Sequence, residues 1–273
     1  MVKKLFKHEF FAYWRIMSIV YLVLFTVAGA GRIIQFFETD STHYNIVFTF
    51  SCITYGISIL AVLGFTFVLG IVRFYRNLFT AEGYLTFTLP VTPSQHIWVK
   101  AATAVCMQLV TLVAVLLSFC IITAGELLVE IWKAAVYLLG QLWEAIGAQS
   151  IAIGGELAVL FVLGMFSSVL LYYTFIAIGQ LFKKHRILAA VGAYFVYYIL
   201  SQVVSAVLTV VLSVVAASGA LEEFFTWLVD FARNQPYTLV HCTLGIIGLF
   251  IIAGCLIEFW IVRRIITKKL NLE

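Results

Sequence analysis

Glu258 lies inside an apolar run, Leu239 to Val262. An acid held at that depth is by default functional, often as a proton relay. Arg263 and Arg264 follow shortly after it, and the expectation is that Glu258 snorkels toward the membrane edge and pairs with arginine. Few other groups offer chemistry. His8, His43, His96 and His185 fall at the edges of apolar runs or between them, and His241 opens the last run. Cys52, Cys106, Cys120, Cys242 and Cys255 are scattered without a CxxC pair. They read as small apolar residues, not as a disulfide framework or zinc site. No H-E-x-x-H or G-x-S-x-G occurs, and no two carboxylates share a mid-run position, so the donors for an intramembrane enzyme are missing and the chain is expected to be no enzyme. A G-x-x-x-x-G-K-[ST] phosphate loop is also lacking, so any ATP-driven work requires another subunit.

The composition says what kind of fold positions these groups. Of 273 residues, 63% are hydrophobic and 11% charged, against about 25% charged in a typical soluble domain, and the mean hydropathy is +1.08. The fold class is therefore an all-α integral membrane protein. Six segments reach the roughly 20 apolar residues that span a bilayer: Ile16 to Ile34, Ile46 to Val72, Ile97 to Ala124, Leu157 to Leu181, Ile187 to Ala217 and Leu239 to Val262. A single transmembrane domain over 1–273 is expected. The first segment, preceded by Lys3, Lys4 and Lys7 and containing Ala28, Gly29 and Ala30, also has the outline of a cleaved leader. Against that, Phe6, Phe10, Phe11 and Trp14 stand at helical spacing opposite Lys3, Lys7 and Arg15, the pattern of an amphipathic elbow helix over 1–15 lying on the membrane surface.

Fourteen of the seventeen Lys and Arg residues fall in one alternate set of connections, and nine of the thirteen acids in the other. By the positive-inside rule both termini and the 73–96 connection are expected in the cytoplasm. The net charge of +4 follows from this topology and is no sign of nucleic-acid binding. On the opposite side, within 125–156, Glu126, Glu130, Lys133, Tyr137, Gln141 and Glu144 recur at steps of three and four, with Leu127, Leu128, Ile131, Leu138, Leu142 and Ile146 on other faces. This predicts an amphipathic helix at the outer interface, with Trp132 and Trp143 at headgroup depth. A shorter one, LEEFFTWLVDF, lies within 218–238. Either could form an outer rim for a substrate or simply pack at the interface. Neither a 20–50-residue repeat nor an inverted three-plus-three duplication is visible, so one copy is not expected to enclose a pathway by itself.

The connection between the second and third spans reads RFYRNLFTAEGYLTFTLPVTPSQHIWVK, residues 73–100. Thr92, Pro93 and Gln95 form a capping box with proline at the first helical position, so the third helix is expected to begin there. Pro90 holds Leu89 extended and sets a turn just before the cap. In between, Leu85, Phe87 and Leu89 alternate with Thr86 and Thr88, a pattern that on its own reads as extended.

Glu82 and Gly83, then Leu85, Thr86, Leu89, Pro90, Val91 and Thr92, then Lys100 entering an apolar helix, together resemble the coupling region of ATP-binding-cassette type-2 exporter permeases. The six spans, the elbow and the cytoplasmic termini resemble that family too, so the likeness runs along the whole chain. It implies a short coupling helix in place of extended chain, and a half-transporter pairing with a second permease copy or paralogue in a bacterial cytoplasmic membrane. It further implies two cytoplasmic ATPase subunits that bind the ATP and Mg, this chain carrying no cofactor or metal of its own. Residues 76–92 would dock on the ATPase, with Glu82 engaging it. NLFTA is less charged than the family's usual stretch, which points to an apolar dock through Leu78, Phe79, Tyr84 and Phe87 beside Arg76, Gly83 and Pro90. The function implied is outward movement of an amphipathic substrate such as an antimicrobial peptide, drug or lipid. Ser51, Thr54, Tyr55 and Ser58 on the second span and Tyr194, Tyr197, Tyr198, Ser201, Gln202 and Ser205 on the fifth are the polar residues available to line a cavity, although such residues also serve ordinary helix packing. The alternatives are a membrane-embedded signalling or scaffold protein, and a secondary transporter that works without ATP.

Overall fold

The computed structural model describes residues 2–39, 41–80, 83, 88, 90–182 and 184–268. Among these there are eight helices and no strand: α1 (Val2–Gln35), α2 (Thr42–Phe79), α3 (Pro93–Ile122), α4 (Glu126–Ile146), α5 (Gln149–Gly179), α6 (Arg186–Ala217), α7 (Glu222–Asn234) and α8 (Pro236–Lys268). Six of them, α1, α2, α3, α5, α6 and α8, are long and apolar enough to cross a membrane. The described residues fall into two compact units, one within Met1–Gly147 and one within Ala148–Asn271.

In the first unit α1 packs on both α2 and α3. At 1.5 Å per residue its 34 residues extend about 51 Å, well beyond a hydrocarbon core of about 30 Å. The helix is unbroken, so the amphipathic stretch expected as a separate elbow over 1–15 is the first part of α1 itself. Its buried stripe, Tyr13, Met17, Tyr21, Leu24, Ala28 and Gly31, advances by three and four residues, as one helix face must. Bilayer lipid is as apolar as leucine, so such helices associate through close packing and interhelical hydrogen bonds, and both occur here. Tyr13 donates its hydroxyl to the Thr66 carbonyl at 2.7 Å. The Thr111 hydroxyl lies 2.8 Å from that of Tyr21 and 3.0 Å from that of Thr66. Tyr55 meets Ser118 at 2.9 Å.

Helix limits follow from local chemistry. Ser41 caps α2 by accepting from the Tyr44 amide. α4 is bracketed by Gly125 (φ 108°) and Gly147 (φ 60°), left-handed positions that suit glycine. In the second unit α5 packs chiefly on α8 and also on α6. The α5–α6 turn is tight. A Cβ on Gly179 would fall 2.6 Å from the Arg186 carbonyl and 2.7 Å from the Ala190 side chain, and the turn passes through His185 at φ 56°.

Two neighbouring glycines of α1 give a test of this packing. A Cβ on Gly31 would come within 3.0 Å of Ser51 Oγ and 3.1 Å of Ile122 Cδ1, whereas one on Gly29 meets nothing within 4 Å. Gly31→Leu should therefore destabilise the unit by about 1–3 kcal/mol through overpacking, and Gly29→Leu should be close to neutral. Thermal unfolding of the two variants in detergent checks this.

Candidate functional site

The first unit gathers its charge at one end, where α1 starts, α2 finishes and α3 starts, the end that carries the α2–α3 connection. Glu9 of α1 accepts from Arg73 Nη2 on α2 at 2.7 Å, from Asn77 Nδ2 on α2 at 3.1 Å and from Lys100 Nζ on α3 at 2.7 Å. Both carboxylate oxygens are used: Oε2 takes the arginine, and Oε1 takes the amide and the lysine. The Glu9 side chain is 14% exposed and that of Lys100 only 5%. Arg73 also lies over the Tyr13 ring, 5.5 Å from its centroid, and His96, one turn before Lys100, is buried. Glu9 precedes the apolar stretch that begins at Ile16. Burial alone would push its carboxyl upward, but the Lys100 ammonium and the Arg73 guanidinium outweigh that and hold it at about 2.

These partners flank the connection on both sides. Arg73 and Asn77 belong to the last turns of α2, and Lys100 to the second turn of α3, so one carboxylate ties both helices that flank the connection to α1. Further along α2, Phe74 packs edge-on against Phe79 at 5.7 Å. Thr80 closes the helix by donating its hydroxyl to the Arg76 carbonyl at 2.6 Å, and the Gly83 amide donates to the Thr80 carbonyl at 2.7 Å. On the far side Thr92 caps α3. Its hydroxyl accepts from the Gln95 amide, Gln95 Oε1 accepts from the Thr92 amide at 3.1 Å, and Pro93 stands at the first helical position.

Placement of the expected docking residues is uneven. Arg76 and Pro90 are exposed. Leu78 and Phe79, expected on an apolar docking face, are instead 0% and 6% exposed. They are consumed in packing the end of α2 and present nothing to a partner. Gly83 is buried as well. Glu82, Tyr84 and Phe87 lie outside the described residues, as do Leu85, Thr86 and Leu89, so the extended and helical readings of that stretch both fall there.

The residues considered for a cavity wall are mostly committed to helix contacts. Tyr55 is buried on Ser118, and Ser51 faces Gly31. Thr54 and Ser58 donate to carbonyls of their own helix. On α6, Tyr194 and Tyr197 pack on Phe175 of α5 with centroids 5.5 and 5.4 Å away. Ser201 donates to the Tyr198 carbonyl, while Tyr198, Gln202 and Ser205 are exposed.

Two acids of the second unit complete the inventory. Glu258 does not pair with Arg263 or Arg264, contrary to the sequence expectation. At 100° per residue those arginines emerge about 140° and 120° around α8 from it, and Arg264 lies over the Trp260 ring at 4.9 Å. Glu258 Oε2 is buried without a hydrogen-bond partner. Glu156, near the start of α5, meets His241 Nδ1 of α8 at 2.8 Å, and His241 Nε2 lies 3.1 Å from Gln149 Oε1, so the histidine that opens the last run bridges two helices. Among the described residues no three His, Cys, Asp or Glu side chains converge as metal ligands, and all five cysteines are free thiols.

The fold and this site define a multi-pass membrane protein of six spanning helices, with an ionic clamp at one end of its first three. No family model matches the chain, and no curated protein or solved structure matches it.

Glu9→Gln removes the charge that satisfies a nearly buried lysine, and should cost roughly 2–3 kcal/mol. Removing the stranded ammonium as well, in Glu9→Gln/Lys100→Met, should recover part of that loss, as thermal unfolding would read. The native carboxyl sits below its free value of 4.5, so its contribution is present in full above about pH 4.5 and fades as pH falls toward about 2. Wild-type stability should decline across that window, and Glu9→Gln should decline less. The exposed α3 cap is tested separately: Thr92→Val should cost about 1 kcal/mol, again seen in the unfolding midpoint.

Proposed function

We propose that the chain is the membrane permease subunit of an ATP-driven exporter. A separate cytoplasmic ATPase supplies the energy, and a second permease, a copy or a paralogue, completes the translocation unit. The observation that carries this reading is the construction of the α2–α3 connection. Glu9 grips both of its flanks, Thr92 caps its downstream end, and it leads straight into two spanning helices. A connection held in this way can pass on a push, whereas a slack loop would absorb it. Exposed Arg76 and Pro90 are the described surface offered to the ATPase, Glu82 is the residue that engages it, and Leu78 and Phe79 stay buried at the end of α2.

In the cycle that follows, closure of the ATPase pair on ATP and Mg presses the connection. The displacement enters α2 through Arg73 and α3 through Lys100, and reaches α1 through Glu9. Tilting of α1, α2 and α6 then opens a seam between the two permeases to the outside, which is alternating access. The substrate class is amphipathic, a peptide, drug or lipid, in keeping with Tyr198, Gln202 and Ser205 standing exposed among the apolar side chains of α6. Charge asymmetry along the sequence supports a cytoplasmic location for both termini and for the connection, and the resemblance of the Glu82–Lys100 stretch to exporter permeases favours a bacterial plasma membrane.

The test is purification of the tagged chain in mild detergent from its native membrane, with mass spectrometry of what accompanies it. A stoichiometric protein carrying a phosphate loop is expected, and Glu82→Ala should leave that complex assembled but abolish ATP-dependent transport in proteoliposomes. Repeated recovery of the chain alone, or transport that needs no ATP, would overturn the reading.

A further inference from the structure

α4 is built unlike its neighbours. No residue of it is buried, although it is 21 residues long and largely apolar. Placed at 100° per residue, Glu126, Glu130, Lys133, Tyr137, Gln141 and Glu144 fall in a strip about 80° wide. The rest of the surface, about 280°, holds only apolar residues and Gly140, and Trp132, Leu138, Leu139, Leu142 and Trp143 are all exposed along it. A face of this size left open to water would be a severe liability.

Its attachments say what covers it. Three residues separate α4 from the end of α3, and two separate it from the start of α5. Both neighbours are helices long and apolar enough to span a membrane, so each end of α4 is tethered at a membrane boundary. At those ends the chain passes through Gly125 and Gly147 with positive φ. A side chain at Gly125 would also collide with Arg32, whose Nη2 lies 2.8 Å from the Cβ position. These left-handed breaks separate α4 from the helical course on both sides. With three glutamates and one lysine it has too much charge to be a seventh span.

We propose that α4 is a membrane-surface helix, its apolar face sunk into the acyl-chain boundary of the leaflet in which α3 ends and α5 begins. The polar strip sets the lipid chemistry. Interfacial helices are commonly basic and gain from anionic headgroups. Here the strip is net acidic, so attachment comes from apolar burial and from Trp132 and Trp143 at headgroup depth, and it needs no anionic lipid. The assignment rests on the membrane character of the flanking helices and is independent of what the protein transports.

Spin labels on the full-length protein test it, in a background with the five native cysteines replaced. Labels are placed at Ile131→Cys, Leu138→Cys and Leu142→Cys on the apolar face, and at Lys133→Cys, Tyr137→Cys and Gln141→Cys on the polar strip. Each protein is reconstituted into phosphatidylcholine vesicles with and without phosphatidylglycerol. The expected result is a helical oscillation, with apolar-face labels colliding more with oxygen than with a water-soluble nickel chelate and polar-strip labels the reverse. That oscillation should be the same in both vesicle types and at high salt. Apolar-face labels open to nickel would place the helix in water and overturn the proposal. Labels immobilised and shielded from both reagents would show a protein partner or second copy on that face and overturn it equally. An oscillation that disappears without phosphatidylglycerol would refute the lipid preference.

Discussion

Lys100 is the constraint on which the first unit turns. An ammonium almost closed off by three helices is costly unless a carboxylate faces it, and Glu9 supplies that carboxylate at 2.7 Å. The same carboxylate then satisfies Arg73 and Asn77. Three helices whose contacts elsewhere are apolar packing and single hydroxyl bridges thus share one charged point at their common end. A slide or rotation of one helix against the others breaks a charge-assisted hydrogen bond, so that end moves as a piece or pays heavily.

Further along, the unit is held by weaker means. The hydroxyl contacts of Tyr13, Tyr21 and Tyr55 with α2 and α3 are each worth on the order of 0.6 kcal/mol in membrane helices, and Gly31 lets α1 approach Ser51 and Ile122 closely. The second unit carries no clamp of comparable charge among its described residues. Its polar bridge, Glu156 with His241, joins two helices only. α6 rests on α5 through Tyr194 and Tyr197 and buries no residue of its own, and Glu258 is held without the arginine partner its sequence neighbours suggested.

Six spanning helices could be read from apolar run lengths because bilayer thickness sets a length no other element needs. The cap at Thr92 was legible for a similar reason: the bonds of a capping box are local, so four adjacent residues contain the whole device. Glu9 was not legible. Among Lys3, Lys4, Lys7 and His8 it reads as one more surface charge, and its partners are 64, 68 and 91 residues away. One signal did point to it. Lys100 lies inside an apolar run and needs a counter-charge, and only Glu9, Glu82, Glu258 and Glu273 fall on its side of the membrane by the charge count. Burial of Leu78 and Phe79 was missed because aromatic and aliphatic side chains near a helix end look alike in sequence whether they face a partner or their own chain. The elbow was expected because Phe6, Phe10, Phe11 and Trp14 stand opposite Lys3, Lys7 and Arg15, a pattern that says nothing of where a helix breaks, and α1 runs through it without a break.

The Glu9 clamp is expected to make the ends of α1, α2 and α3 one mechanical body. Hydrogen exchange of the chain in lipid nanodiscs, wild type against Glu9→Gln, tests it most directly, because amide protection reports the opening of each helix end by itself. If the clamp acts as described, the variant loses protection together in three stretches remote in sequence: the first turns of α1, the last turns of α2 and the first turns of α3. Loss confined to α1, with the other two unchanged, would mean that Glu9 merely anchors its own helix and would contradict the account.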